Sequence, residues 1–336
     1  VRLNREEMAE LIEGLEGRIL ITTHKNPDGD AVGSSLAWYN FLKKLDKDVT
    51  VIYRDRIPYF FDFLPGVYDV KVLQEIKDKF DWVIITDVSD PKRTGFDAIP
   101  AEKSIVIDHH VTAEPFTDYS IVEPEISSTC ELSYYLMKLI NADFIDISVA
   151  LPIYTGIYTD TGSFSYSNTS PETFEVAAEL VRKGVNPYFV MSNIFERNRL
   201  NKFKLLELVL RTLSFALGGK VAHITLFRSF LEETGAYPEE SEGFINYPRS
   251  IAGVEVAVFF KEIEKGSWKV SLRSKGKVDV ASVAKRLGGG GHRMAAGFEA
   301  EGELTEIKER LFKELEVALE DAYYEGLSQK GNPKEM

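Results

Sequence analysis

Strand–helix alternation dominates the first half of this chain and limits what it can fold into. The apolar run Arg18 to Thr22 (RILIT) reads as a buried strand, and a helix follows from about Asp30 to Leu45. Further apolar strands read at Val49 to Tyr53, Trp82 to Thr86 and Ser104 to Ile107. This is the pattern of an α/β domain: a mostly parallel sheet with helices on both faces. In such sheets ligands sit at the carboxyl ends of the strands. Three strands here run out into histidine or aspartate at that end: Thr23-His24, Asp87, and Asp108-His109-His110.

The rest of the chain implies a second core. At 336 residues it exceeds the size at which one core usually stops growing. Asn4 can cap a first helix carrying Met8, Leu11, Ile12 and Leu15 on its apolar face. From Ser127 the pattern turns helical, with a start at Ser127, Ser128 or Thr129 and another at Pro171 behind Ser170. Phe189 to Leu213 reads as a long charged connecting helix or a pair of them. Strands then read near Val221 to Leu226, Val254 to Phe260 and Trp268 to Leu272, with helices near Val280 to Leu287 and Leu304 to Ala322. The expected organisation is a catalytic domain over 1–190, a helical linker over 191–217, a smaller α/β domain over 218–323 and a polar tail over 324–336.

Charge and composition exclude several functions. The formal net charge of -13 disfavours a long electrostatic grip on duplex nucleic acid, while leaving a short strand or small nucleotide open. One cysteine, Cys130, rules out an intramolecular disulfide and a cysteine-rich zinc site. It reads as buried and inert in an apolar helix. The apolar runs are far too short to span a bilayer, and VRLNREEMAELIEGL reads as an amphipathic helix, not a signal peptide. A cytoplasmic protein without a membrane partner is expected.

Five motifs carry the chemistry. THKNPDGDAVGSS places His24, Asp28 and Asp30 in one tight loop between a strand and a helix, where they suit either a divalent ion such as Mn²⁺ or a helix cap. Asp87 follows an apolar strand, with Asp90 as a competitor. In Asp108-His109-His110 alternate side chains face opposite ways, so one histidine can bind metal while the other faces substrate. Asp160, in TGIYTDTGSFSYSN, ends a helical run; a helix stop explains Gly162 but not the acid. In LGGGGHRMAAGF, Gly289, Gly290, Gly291 and His292 lie in a run whose bare backbone lets an anion approach, with no packing reason for four glycines.

Together and in this order the motifs resemble the DHH phosphoesterase superfamily, named for the Asp-His-His triplet. The glycine motif resembles the DHH-associated C-terminal substrate-binding domain. The phrases EGFINYPRSIAGVEVAVFF and LRSKGKVDVASVAKRLGGGGHRMAAGF resemble the nanoRNase/pAp-phosphatase branch. The resemblance implies two divalent ions, usually Mn²⁺: His24 and Asp28 on the first, Asp30, His109 and Asp160 on the second, and Asp87 bridging. Four carboxylates would balance two divalent ions. A water activated between the ions would attack phosphorus. His110 would serve the phosphate or the leaving oxygen and Asp108 would orient it, completing a catalytic set with Asp87. Arg273, Ser274, Gly289, Gly290, Gly291 and His292 would hold the far end of the substrate, and Arg93 is a further phosphate candidate.

The implied substrates are nanoRNA, linear pApA, 3′-phosphoadenosine 5′-phosphate and cyclic di-AMP, and the implied assembly is a homodimer. A single-strand exonuclease of RecJ type, a family II-type pyrophosphatase and a catalytically silent nucleotide sensor are the alternatives.

Overall fold

The computed structural model describes residues 1–110 and 116–330. The chain divides into two compact units, Val1–Arg197 and Asn198–Met336.

In the first unit the order is α1 (Arg5–Glu13), β1 (Arg18–Thr22), α2 (Gly29–Lys44), β2 (Asp48–Tyr53), β3 (Lys71–Val72), β4 (Phe80–Thr86), β5 (Ala101–Asp108), β6 (Tyr119–Val122), α3 (Thr129–Asn141), α4 (Ile147–Asp160), α5 (Pro171–Arg182) and α6 (Pro187–Phe195). The sheet order is β3-β2-β1-β4-β5-β6, and every pairing is parallel. Alternation along the strands splits the core. Ile19, Ile21, Val51, Ile84, Ile105 and Ile107 face the layer built from α1 to α6. Leu20, Ile52, Val83, Ile85 and Val106 face the other way. That second face is closed by Ile76, Val88 and Phe96 from connecting segments, so the helices expected on both faces lie on one. Apolar strands alone do not distinguish a helix from a well-packed loop as the cover.

The second unit runs α7 (Leu200–Leu210), β7 (Ser214–Ala216), β8 (Val221–Leu226), α8 (Arg228–Thr234), α9 (Asn246–Ser250), β9 (Val256–Glu264), β10 (Ser267–Ser274), α10 (Val280–Arg286), β11 (Gly290–His292), β12 (Ala295–Glu301) and α11 (Leu304–Lys330). Its sheet order is β11-β12-β10-β9-β8-β7, with β8 and β9 the parallel pair. One face packs on α10 and α11 through Val283, Ile307 and Leu311, the other on α7 through Leu205 and Val209 and on Ile245, the residue before α9.

The segment expected as a linker is shared out. Its first residues finish α6 in the first unit, whereas α7 and β7 belong to the second, because β7 pairs with β8. The helix of the expected tail continues to Lys330, and residues 331–336 lie outside the described residues. None of the described helices is long and apolar enough to cross a membrane.

Candidate metal centre

Close helix packing assembles the centre. The start of α2 lies against α4, where Gly29 and Gly33 permit the contact, and Gly156 lets α4 approach Cys130 of α3. A Cβ at Gly29 would meet Thr159 Oγ1 at 2.2 Å; at Gly33 it would meet the Pro152 carbonyl at 2.5 Å; at Gly156 it would meet Cys130 Sγ at 2.1 Å. The approach brings Asp28 and Asp30, at the start of α2, towards Asp160, the last residue of α4. The ends of β1, β4 and β5 supply the rest: His24, Asp87 and the Asp108-His109-His110 triplet.

The side chains fall into two groups that share Asp87. His24 Nε2 lies 3.4 Å from Asp87 Oδ2 and 3.8 Å from Asp28 Oδ2. His109 Nε2 lies 3.8 Å from Asp87 Oδ1, 3.8 Å from Asp30 Oδ2 and 3.7 Å from Asp160 Oδ2. Asp28 does two jobs, since its Oδ1 caps α2 by accepting from the Asp30 and Ala31 amides while Oδ2 faces His24. Asp90 does not join; it caps a short 3-10 turn by accepting from Lys92 N. Asp87 itself has φ +60, a left-handed conformation that non-glycine residues adopt at a cost. Its amide donates to Ile107 O at 3.0 Å, which ties β4 to β5 at the site.

The donor chemistry fits divalent ions. His24 Nδ1 lies 2.9 Å from the Lys25 carbonyl, and a carbonyl only accepts, so Nδ1 carries the proton. The Nε2 lone pair of the neutral ring then points into the carboxylates, and that buried atom has no hydrogen-bond partner. His109 repeats the arrangement, with Nδ1 3.3 Å from the Ile126 carbonyl. A backbone carbonyl behind each ring is the usual way to orient a ligating imidazole. Without a cation the centre is frustrated. Burial, with the charges of Asp87 and Asp160, pushes the Asp30 carboxyl well above its usual range. Burial opposes charge on His24, but Asp28 and Asp87 outweigh it and raise the ring to about 10.

His110 is wired differently. Its Nδ1 is held at 2.7 Å by Asp108 Oδ1, which also accepts from the His109 amide at 2.8 Å. Burial lowers its proton affinity, yet Asp108 outweighs that and the ring is raised to about 9. Arg93 sits in the turn after β4, half-buried, with Nη1 3.4 Å from Ser89 Oγ.

The remaining candidates lie in the second unit. Arg273 and Ser274 end β10; Arg273 Nη1 donates to the Leu272 carbonyl at 3.1 Å, and buried Ser274 accepts from the Gly276 amide. Gly290, Gly291 and His292 form β11 rather than a loop. The glycine run has the packing reason that the sequence reading denied it. A Cβ at Gly289 would meet the Gly297 carbonyl at 2.1 Å, and one at Gly291 the Ala295 carbonyl at 2.5 Å, so both let β11 lie close on β12. Gly290 has open space beside it and remains compatible with an anion's approach.

Comparison with known proteins shows which family the chain belongs to. The profile of the DHH family, N-terminal domain, matches residues 18–157, and that of the DHHA1 domain matches residues 218–321. The chain belongs to the DHH family. It is by class a metal-dependent phosphohydrolase of that family. A bifunctional oligoribonuclease and PAP phosphatase NrnA from Thermus thermophilus is 34% identical over 322 residues, covering 94% of this chain and 95% of that protein. The Bacillus subtilis protein of the same name is 28% identical, covering 83% and 88%. The crystal structure of an exopolyphosphatase-related protein from Bacteroides fragilis superposes with a TM-score of 0.81 at 31% identity, over 94% of this chain and 96% of that one. The RecJ structure from Thermus thermophilus with Mn²⁺ shares the fold, with a TM-score of 0.54 at 14% identity over 91% of this chain and 54% of that one.

Within this DHH centre the sequence reading missed the supports. The first amides of α3 grip Asp30: Thr129 N donates to Oδ2 at 2.7 Å and Cys130 N to Oδ1 at 2.8 Å. Thr129 Oγ1 donates to Asp87 Oδ1 at 3.2 Å. Asn168 Nδ2 donates to the carbonyls of Ser127 at 2.9 Å and Asp160 at 3.3 Å. The run Ser127-Ser128-Thr129 signals a helix start, but a backbone donor leaves no trace in residue identity. Cys130 is buried as expected, yet it lies against Asp30, and burial first and that carboxylate second push its thiol well above the ordinary range.

Proposed function

We propose that this chain hydrolyses short nucleotides, namely nanoRNA, linear pApA and adenosine 3′,5′-bisphosphate, at a centre of two divalent ions, with Mn²⁺ the favoured metal. The observation that carries the reading is the division of Asp87: one carboxylate oxygen faces His24 and the other faces His109. His24 and Asp28 would hold one ion, Asp30, His109 and Asp160 the other, and Asp87 both. The printed activities of the Thermus and Bacillus relatives support the choice of substrate.

Bound there, divalent ions supply Lewis acidity to phosphoryl oxygens and lower the pKa of a water. The chain's own groups do the rest. Carbonyls of Lys25 and Ile126 keep the Nδ1 protons of His24 and His109 in place and so present Nε2. Helix α3 holds Asp30 still through two amides. Asp108 fixes His110 through Nδ1, and His110 would hydrogen-bond the phosphate or hand a proton to the leaving oxygen. In the second unit Arg273 supplies a forked donor for a phosphate or a face for a base, and Gly290 an open backbone. Ser274, Gly289, Gly291 and His292 shape that surface.

The test is incubation of the pure protein with pApA, with Mn²⁺ or with excess EDTA, followed by chromatography. AMP released only with Mn²⁺ supports the reading. An inert protein with metal demonstrably bound contradicts it. Cyclic di-AMP, run beside pApA, reads whether the ring is opened as well.

A further inference from the structure

We propose that Lys25, Arg54 and Arg93 form a phosphate subsite beside the metal centre, within the first unit, that holds a phosphate of the substrate other than the one attacked, resting on the nucleotide-hydrolase reading above. Three neighbouring strands deliver the three cations. Lys25 follows His24 beyond β1, Arg54 is the first residue after β2, and Arg93 lies in the turn after β4. In the sheet these strands run β2-β1-β4, so the cations arise side by side at the carboxyl edge.

Gly95 draws them together. It has φ +75, and its carbonyl accepts from Arg54 Nε at 3.0 Å. A Cβ built on it would lie 2.8 Å from Arg54 Cγ and 3.4 Å from Lys25 Cβ, so the stems of both residues flank one point. The Lys25 amide donates to the Arg93 carbonyl at 2.7 Å.

Among the described residues none of the three forms an ion pair with a carboxylate, although the chain has 53 acidic residues against 40 basic ones. The adjacent acids are used elsewhere: Asp55 accepts from the Asn26 amide at 2.8 Å and Asp90 from the Lys92 amide at 2.8 Å. Two forked guanidiniums and an ammonium suit a phosphate monoester, which offers several acceptor oxygens and up to two negative charges. A substrate with one phosphate can engage only the centre. One with two can engage both places, and the subsite then selects for the second phosphate.

Affinity reads the subsite and turnover reads the function, so the two can fail separately. Lys25→Gln and Arg54→Gln leave every proposed metal ligand in place, and metal content is measured in each. Calorimetry compares adenosine 3′,5′-bisphosphate with the 3′- and 5′-monophosphates, with Ca²⁺ replacing Mn²⁺ to slow turnover. Phosphate release is then followed with Mn²⁺. The wild type should prefer the bisphosphate, and each variant should lose that preference by about tenfold or more, chiefly in Kd and KM, with metal content kept. Equal weakening for all three ligands, or an unchanged preference, overturns the subsite whether or not turnover is seen. Binding with the expected preference but no hydrolysis of bisphosphate or dinucleotide supports the subsite and overturns the proposed function.

Discussion

Nδ1 of His110 lies 2.7 Å from Oδ1 of Asp108, whereas the neighbouring His109 turns its Nδ1 to a backbone carbonyl. Adjacent histidines at one strand end thus turn different nitrogens to the carboxylates, although both lie near Asp87 Oδ1, His109 Nε2 at 3.8 Å and His110 Nδ1 at 3.5 Å. His109 presents Nε2 to three carboxylates; His110 is held through Nδ1 by Asp108, with Asp87 the more distant second acid.

Replacement of His110 should therefore separate chemistry from metal binding. His110→Ala is expected to lower kcat by about 10²–10⁴-fold, the usual worth of a positioned acid or base. Its metal content, read by mass spectrometry, should equal that of the wild type. Loss of metal would mean that the two histidines exchange roles.

Asp87 should be needed for both. Asn tolerates a left-handed backbone well, so Asp87→Asn keeps φ +60 and removes the charge. Turnover should fall by about 10³-fold or more, with metal retained more weakly. Circular dichroism should stay native. Wild-type activity in this variant would remove Asp87 from the centre.

Much of the centre is legible in the sequence because each motif follows an apolar run. His24, Asp87 and Asp108-His109-His110 stand just past β1, β4 and at the end of β5, where parallel sheets gather ligands. The residue pattern alone left Asp90 open beside Asp87, and the family resemblance chose Asp87. Only two residues lie between them, and the structure shows Asp90 spent on a cap. The α3 amides behind Asp30 were invisible because any residue supplies an amide. The glycine run misled because glycine marks both an open backbone and a close strand contact; Gly289 and Gly291 serve the second purpose. The cover of the second sheet face was also beyond reach, since Ile76, Val88 and Phe96 sit in segments without periodicity.

Gly156 should matter to metal affinity although it binds nothing. A Cβ there would meet Cys130 Sγ at 2.1 Å and Asp30 Oδ1 at 3.0 Å. Gly156→Ala should cost about 1–3 kcal/mol in stability, as overpacking does. It should also weaken metal binding by displacing Asp30. Adding Cys130→Ala removes the sulfur and should restore part of both losses; a double variant no better than the single one would show that the sulfur is not the obstacle.

The second unit should carry a pH dependence of its own. His223 is buried between Phe260 and Phe312, and burial, aided by the Lys308 charge, lowers its pKa to about 4. As pH falls below the unfolded value of about 6.5, the unfolded chain takes up a proton that the folded ring refuses. Stability should then drop by about 1.4 kcal/mol per pH unit until about pH 4. His223→Leu should remove that part of the slope in urea titrations at pH 7 and pH 5. An identical slope in both proteins would contradict the assignment.

The most direct test of the account is calorimetric titration of Mn²⁺ into the metal-stripped protein. Two ions per chain are predicted, with protons released as the Asp30 carboxyl and the His24 ring give way to metal. One ion per chain, or none, would contradict a centre in which Asp87 serves two metals.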